Sequence, residues 1–357
     1  MAIYHNLDSV VMVIFLGDQN QLPPTVLSHH RKLNEADRDS LPYNIFTPQL
    51  AMSLMARQIE NGMRYTMFTK QCRMTAGIEE LSSRMCYGGR LENDRSTLLV
   101  NRQPSQDAID FIQNQSGLTT TIPHIFLNVH KGVCIKGRTM SRHNPPNVIM
   151  VMFVIESVLE AGLFRGDEIC VIALYREQVS RIRTAIAKAS ANNESLRNRG
   201  ILLVRVSTID SMQGGEANMV IVDFVLAKRR KGRYGFLTNR GRLNVAVTRA
   251  KFFQVLIGDC NAVDAPKAKD TRGKEPEAND PDNQDQVPDT IVSDEEDEAF
   301  VKDVGPWEPS LKHIRLLYQH YQEKGVVVDM DYEDKPQSKY VDFTAAKAFL
   351  EEFKAGR

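Results

Sequence analysis

Cysteine is sparse and unpatterned in this chain. Five residues, Cys72, Cys86, Cys134, Cys170 and Cys260, are scattered over 357 positions. None forms a Cys-x-x-Cys pair and none stands at ligand spacing from a histidine. That argues against a disulfide framework and a zinc site, and for a reducing compartment, nucleus or cytoplasm. No basic stretch precedes the apolar run near the start and no small-residue cleavage site comes after it, so no signal peptide is expected. No apolar stretch approaches the ~20 residues needed to span a bilayer, so no membrane is expected as a partner. Neither sign of charge dominates: Lys+Arg and Asp+Glu number 45 each. Two phosphate-binding signatures are also missing. No Gly-x-x-x-x-Gly-Lys-Ser/Thr loop occurs, and no Gly-x-Gly-x-x-Gly stands after a strand.

The chain does carry an alternation of buried-type strands and helices. Val10 to Leu16 is an apolar, β-branched run closed by Gly17-Asp18, which predicts a strand buried on both faces. Pro48 to Ile59 has helical spacing. Arg64 to Lys70 reads as a strand, and Thr75 as the cap of a helix running to about Cys86. Residues 93–121 carry little pattern. Further strands are expected at Pro123 to Val129, Glu168 to Leu174, Ile201 to Ser207, Met219 to Val225 and Phe252 to Ile257. Helices are expected at Asn147 to Ala161 and Glu177 to Ala187, with another near Gly241 that carries the Arg249 segment. The alternation predicts an α/β layer with a mostly parallel sheet. Residues 262–309 are rich in Pro, Asp, Glu, Lys and Asn, and are expected to be a disordered linker. Beyond it, Ile314, Leu317, Tyr318 and Tyr321 return at helical spacing, and Phe343 to Phe353 predicts a second short helix.

Four segments carry candidate chemistry. In Gly17 to Pro24, Asp18 could hold a Mg²⁺-bound water and Gln21 could sense a terminal phosphate; a turn with a Pro-Pro stop explains the same residues. In Gln71-Cys72-Arg73-Met74, the Arg73 fork could take a phosphate in two bonds, or pair with a surface carboxylate. In Thr208 to Glu216, Gly214 and Gly215 allow close backbone approach, Glu216 could accept from a ribose hydroxyl, and Thr208 and Ser211 could donate to a nucleic-acid phosphate. A glycine-rich turn is the plainer reading. Arg242 to Lys251 is the most specific. Arg249 is placed to neutralise charge developing on a γ-phosphate, and Asn244 and Thr248 do not suit an ordinary cationic amphipathic helix. The basic run Lys228, Arg229, Arg230 to Arg233 could grip a nucleic-acid backbone, signal nuclear import, or be a solvated hairpin tip.

Together and in this order, the segments resemble the superfamily 1 RNA and DNA helicases of the nonsense-mediated-decay and senataxin branch. Gly17 to Pro24 is similar to motif III, Gln71 to Met74 to motif IV, Thr208 to Glu216 to motif V, and Gly235 to Lys251 to motif VI. Ile172 to Gln178 resembles the segment that comes after motif IV. The resemblance implies RecA-like, P-loop NTPase domains with ATP and Mg²⁺ between two of them, and single-stranded RNA or DNA as partner. It implies that Gln21, Arg73, Glu216 and Arg249, with Gly214, Gly215 and Arg242, face the nucleotide. Tyr175, Gln178, Thr208, Ser211 and Gln213 would lie near the strand or the nucleotide cleft. It further implies that residues 1–27 are a remnant of a first RecA-like domain, 28–261 the second, and 310–357 a helical extension. The phosphate loop and the Asp-Glu motif would then belong to a first half outside this chain, as in a truncated chain or gene model. Two departures stand out: Cys72 replaces an aromatic that stacks on the base, and Ala173-Leu174 replaces Thr-Pro. An inactive nucleic-acid-binding or regulatory module derived from a helicase is the alternative.

Overall fold

The computed structural model describes residues 12–24, 26, 44–130, 132–137, 141–227, 239–262 and 311–330. Six parallel strands form one sheet: β1 (His124–Asn128), β2 (Ile169–Ala173), β3 (Arg205–Thr208), β4 (Ala217–Asp223), β5 (Ala250–Gly258) and β6 (Val327–Asp329). Their spatial order is β6-β1-β5-β4-β2-β3. The expectation of a mostly parallel α/β sheet holds.

Helices cover both faces, so the strands are apolar on both sides. Along β4, Met219 and Ile221 enter one apolar cluster, while Val220 and Val222 enter the other. This is the two-residue period of a pleated strand between two cores. The first core packs α4 (Gln103–Ser116), α5 (Pro145–Glu160), α6 (Arg176–Asn192) and the short α7 (Glu194–Asn198) on the sheet. The second packs α3 (Glu79–Cys86), α8 (Arg240–Val247) and α9 (Leu311–Glu323). The α5 helix starts where Asn144 caps it with Pro at its first positions, and its apolar sequence is buried almost all round.

Several expectations are corrected. Residues 12–16 form no strand and are exposed apart from half-buried Phe15, with Met12 at 73% and Leu16 at 83%; among the described residues no neighbour strand supplies their ladder bonds. The Pro48 to Ile59 helix is two helices, α1 (Thr47–Ala51) and α2 (Leu54–Glu60), split where Ser53 caps the second. Of the expected strand at Arg64 to Lys70 only a two-residue ladder, Lys70–Gln71, forms. Thr75 caps nothing: α3 begins at Glu79, and the Thr75 hydroxyl is buried against Ser105 Oγ and the Lys251 carbonyl. The α4 helix arises inside the stretch that carried little pattern. The α8 helix stops at Val247, so Arg249 lies beyond it. Ile314, Leu317, Tyr318 and Tyr321 are buried on the second core, and the chain continues into β6, an extra edge strand with Val327 beside Phe126. Residues 263–309, the Phe343 to Phe353 helix and the Lys228 to Arg233 run lie outside the described residues.

Candidate functional site

Glu216 and Arg249 each sit one residue ahead of a strand, and the strands they enter are paired at Ala217 and Ala250. The pairing therefore sets the two side by side at the amino ends of β4 and β5. Arg249 is 1% exposed. Its Nε donates to the Val245 carbonyl at 2.9 Å, Nη1 to the Gly215 carbonyl at 3.2 Å, and Nη2 to Thr248 Oγ1 at 2.9 Å. Nη2 also reaches Gln21 Oε1 at 3.5 Å. Burial, and then the nearby Arg73 charge, pull its pKa down to about 10. It stays protonated at neutral pH, held mainly by neutral oxygens.

Arg73 arrives at the same rim from the other side. Its Nε donates to Glu216 Oε2 at 2.8 Å, and Nη1 contacts the Thr248 carbonyl at 3.4 Å. The other Glu216 oxygen takes Lys251 Nζ at 2.6 Å. Lys251 first, and Arg73 after it, hold the Glu216 carboxyl below its usual range. The turn that aims Arg73 is shaped by Gln71, whose Oε1 accepts from the backbone N–H of Arg73 at 3.0 Å and of Met74 at 2.8 Å. Its Nε2 binds Asn93, which in turn donates to Glu79. Gln71 and Glu79 are supports that the motif reading left without a role.

The Gly17 to Gln21 loop docks on this rim. Asn20 gives its carbonyl to Asn244 Nδ2 at 2.9 Å. Gly241 has no Cβ to spare, since one would meet the Gln21 carbonyl at 2.7 Å. Asp18 uses one oxygen for the Asn20 N–H and the other for the Tyr87 hydroxyl and Gln21 Nε2. Burial and the Asp18 contact push the Tyr87 hydroxyl pKa up. Asn244 and Thr248 are buried, which accounts for their poor fit to a cationic amphipathic helix. Asn244 joins Ser82, Tyr87 and Asn20, and Thr248 donates to the Asn244 carbonyl at 2.7 Å. Tyr87 was missed because the sequence shows only a helix end before Gly-Gly. Asp18, Gln21, Arg73, Tyr87 and Thr248 line a cleft of about 640 Å³. Arg242 turns aside from it and pairs with Asp210 at 3.2 Å.

This arrangement fits a polyanion better than a cation. Arg64, Arg73 and Arg90 line the cleft and Arg249 lies buried behind Gln21, whereas Asp18 spends both oxygens inside the protein. Among the described residues no group of three His, Cys, Asp or Glu could hold a metal. The residues present therefore suit nucleotide phosphates and do not suit a Mg²⁺ site.

Of the strand-facing candidates, Tyr175 and Gln178 come after β2 and Thr208 ends β3, at the carboxyl ends of the strands, while Ser211 and Gln213 lie on the turn that leads back to the start of β4. Thr208 and Ser211 share a hydrogen bond of 2.9 Å in an exposed turn, and Gln213 is exposed. Gln178 is 0% exposed and Tyr175 is buried. Both were expected near the strand or the nucleotide cleft, and their burial makes them part of the protein's interior there. Gln178 Oε1 accepts from the Asn144 N–H at 2.8 Å, and its Nε2 donates to Asp223 Oδ2 at 2.5 Å. The other Asp223 oxygen takes Asn147 Nδ2 at 2.7 Å and the Val225 N–H at 2.9 Å. With neutral donors alone around it, burial pushes the Asp223 pKa up to about 6. Val225 has φ +62, a strained value for a β-branched residue, and Asn144 Nδ2 holds its carbonyl at 2.9 Å. Asp223 stood in the sequence as an acid inside an apolar strand, the one signal that could have found this cage.

Known proteins match most of this region. A family model described as "AAA domain" matches residues 50–261. The DNA-binding protein SMUBP-2 of Mesocricetus auratus is 30% identical over 258 residues, 70% of this chain and 22% of that protein. The DNA replication ATP-dependent helicase/nuclease DNA2 of Homo sapiens is 27% identical over 261 residues, covering 69% of this chain and 22% of DNA2. Helicase SEN1 of Saccharomyces cerevisiae is 28% identical over 242 residues, 67% of this chain and 10% of SEN1. The chain thus spans about a fifth or less of the length of these curated relatives.

Proposed function

Because this chain belongs to the AAA-domain family of superfamily 1 helicases, in the branch that holds SMUBP-2 and SEN1, we propose that it is the second RecA-like domain of an ATP-dependent RNA or DNA helicase. The observation that supports the reading best is the meeting of Arg73 and Arg249 at one rim, where both bond to Thr248. Bound ATP supplies the phosphoanhydride bond. Arg73, about a third exposed, is the group that holds its phosphates, and Arg249, buried behind Gln21, is the arginine finger that meets them once the docked loop gives way. Gln21 bridges Asp18 to Arg249 and so couples the docked loop to that finger. Glu216 pairs with Arg73 and Lys251 and keeps lone pairs for a ribose hydroxyl. The ligands of a Mg²⁺ ion belong, in this reading, to a complementary first domain, and no step here runs through the metal.

Half-buried Thr208 and exposed Ser211 and Gln213 are the contacts for a single strand, and the basic Lys228, Arg229 and Arg230 add charge for its backbone. Tyr175 and Gln178 are positioning residues beneath them. Among the described residues no helix is long and apolar enough to cross a membrane. A nucleus or cytoplasm location goes with nucleic acid as partner.

The test is complementation. The 357-residue chain alone is expected to hydrolyse ATP at background. Joined to a first RecA-like domain that carries a phosphate loop, it gains strand-stimulated hydrolysis, and Arg249→Ala lowers that rate by about 10³-fold. Robust turnover by the chain alone, or an Arg249→Ala rate equal to the unaltered one, overturns the reading. Salt-sensitive strand binding with no complementable turnover supports a binding module instead.

A further inference from the structure

Three loops are tied to one buried carboxylate. Asp223 ends β4, and its Oδ1 accepts from Asn147 Nδ2 and from the Val225 N–H while its Oδ2 accepts from Gln178 Nε2. Gln178 also takes the Asn144 N–H at 2.8 Å and donates to the Asn144 carbonyl at 3.2 Å. Asn144 in turn accepts from the Val133 N–H at 3.3 Å and donates to the Val225 carbonyl at 2.9 Å. The segments that leave β1, β2 and β4 thus meet at the carboxyl ends of the sheet, where open α/β sheets take their ligands.

The turn after Asp223 is strained. Leu226 donates its N–H to the Phe224 carbonyl at 2.6 Å, and Val225 between them has φ +62. A three-residue turn closed at positive φ is the rare form of the γ-turn, and a β-branched residue suits it poorly. Two bonds hold Val225 there, to Asp223 Oδ1 and to Asn144 Nδ2. The first is to an ionised oxygen and is the stronger for it. In sequence, Lys228, Arg229 and Arg230 come directly after Ala227.

The cage also has a place for a proton. Asn147 Oδ1 is buried and has no hydrogen-bond partner among the described residues. A half-turn of that amide puts Oδ1 where Nδ2 now meets Asp223, and a protonated Asp223 Oδ1 then donates to it. The same proton takes the ionised acceptor away from the Val225 N–H. The titratable and charged side chains on the surrounding elements are Arg142 and His143 ahead of α5, Glu177 and Arg181 on α6, and Asp259 after β5. On the flanking strands Asp223 has Ala173 and Ile257 beside it. Its charge state is set by burial, opposed by Asn147, Gln178 and the Val225 N–H, and changes at about pH 6.

We propose that Asp223 is a positioning residue for strand contact: ionised, it holds the Val225 turn that leads into the basic run, and protonated, it turns to Asn147 and lets that turn relax. The strand's part in this rests on the nucleic-acid reading above; the turn's part does not.

Nuclear magnetic resonance on the full chain, labelled with ¹³C at aspartate carboxyls and ¹⁵N at valine, tests the turn. The Asp223 carboxyl, identified by its absence in Asp223→Asn, and the Val225 amide are expected to titrate with one midpoint, near 6. Corrected for intrinsic exchange rates, the amides of 225–227 are expected to lose at least about tenfold protection between about pH 7.5 and about pH 5, while β4 stays protected. Asp223→Asn removes that change. His143→Gln keeps it, although the His143 pKa is itself lowered by burial. A Val225 amide that does not follow the carboxyl overturns the proposal, as does a change that survives Asp223→Asn or disappears in His143→Gln. The shared midpoint is read in the unaltered chain, so it stands apart from how the variants fold. Affinity for a fluorescent oligouridylate is expected to fall about tenfold over the same pH range, and not in Asp223→Asn. An equal fall in both overturns the link to the strand. No binding at any pH refutes the nucleic-acid reading, and the carboxyl and amide titrations still decide the turn.

Discussion

At the amino ends of β4 and β5, Arg73, Glu216 and Lys251 stay about a third exposed, with side-chain values of 36, 38 and 35%, around the buried Arg249. At the carboxyl ends of β2 and β4, one carboxylate, Asp223, is fully buried among amides. The first rim keeps its charges by pairing them near water. The second keeps its polarity by hydrogen-bonding it away from water. A charged ligand needs partners that remain ionised and reachable, so the first rim suits direct contact. The second rim suits rigid support, and it holds Val225 in its strained backbone.

Breaking the buried cage should have the largest effect. Gln178→Leu strips Asp223 Oδ2 and the Asn144 N–H of their partner, and is expected to cost about 3–5 kcal/mol in urea unfolding. A loss under about 1 kcal/mol would mean that the cage is not built as described.

The two rims should also answer pH with opposite signs. Asp223 titrates at about 6 in the folded chain, above its ordinary value of 3.8. The folded state therefore holds the proton more firmly across that window, and stability falls as pH rises through it, by about 3 kcal/mol. Asp223→Asn should flatten this slope in melts between about pH 4 and pH 7. Glu216 runs the other way. Its folded pKa is lowered, so its contribution is present above the ordinary value of 4.5 and fades as pH falls through the folded value. Melts that grow steadily less stable on acidification across that same range would remove the contrast.

Gly241→Ala sharpens the comparison at the first rim. A methyl group 2.7 Å from the Gln21 carbonyl must displace the docked loop. The expected cost is about 1–2 kcal/mol, seen as faster exchange at residues 17–21 while β4 remains protected.

The smallest effect is expected at the exposed ion pair. A double-mutant cycle on Arg73→Ala and Glu216→Gln should give a coupling below about 1 kcal/mol, reduced further by salt. A coupling of several kcal/mol would make this rim as structural as the other.

Much of the fold was legible because buried parallel strands read as apolar runs. His124–Asn128 and Ile169–Ala173 fall inside the expected spans. The α4 helix was not legible, since few of its positions are apolar and it leans on β5 through Ser105 and the Phe252 carbonyl. Nor was β6, whose three residues become a strand only by pairing with β1. Within the site, Arg73, Gln21, Glu216 and Arg249 stood out by motif. Tyr87, Asn144 and Asp223 did not, because each matters through a partner distant in sequence.

The order of apolar runs, turns and arginines was enough to set the class of fold and to single out candidate side chains for a phosphate. Residue order carries those properties directly, through strand period and side-chain chemistry. Which arginine is buried, which carboxylate is paired and which glutamine never meets solvent were decided only when distant segments closed on one another. Burial and pairing are properties of that closed arrangement, and no local stretch of chain contains them.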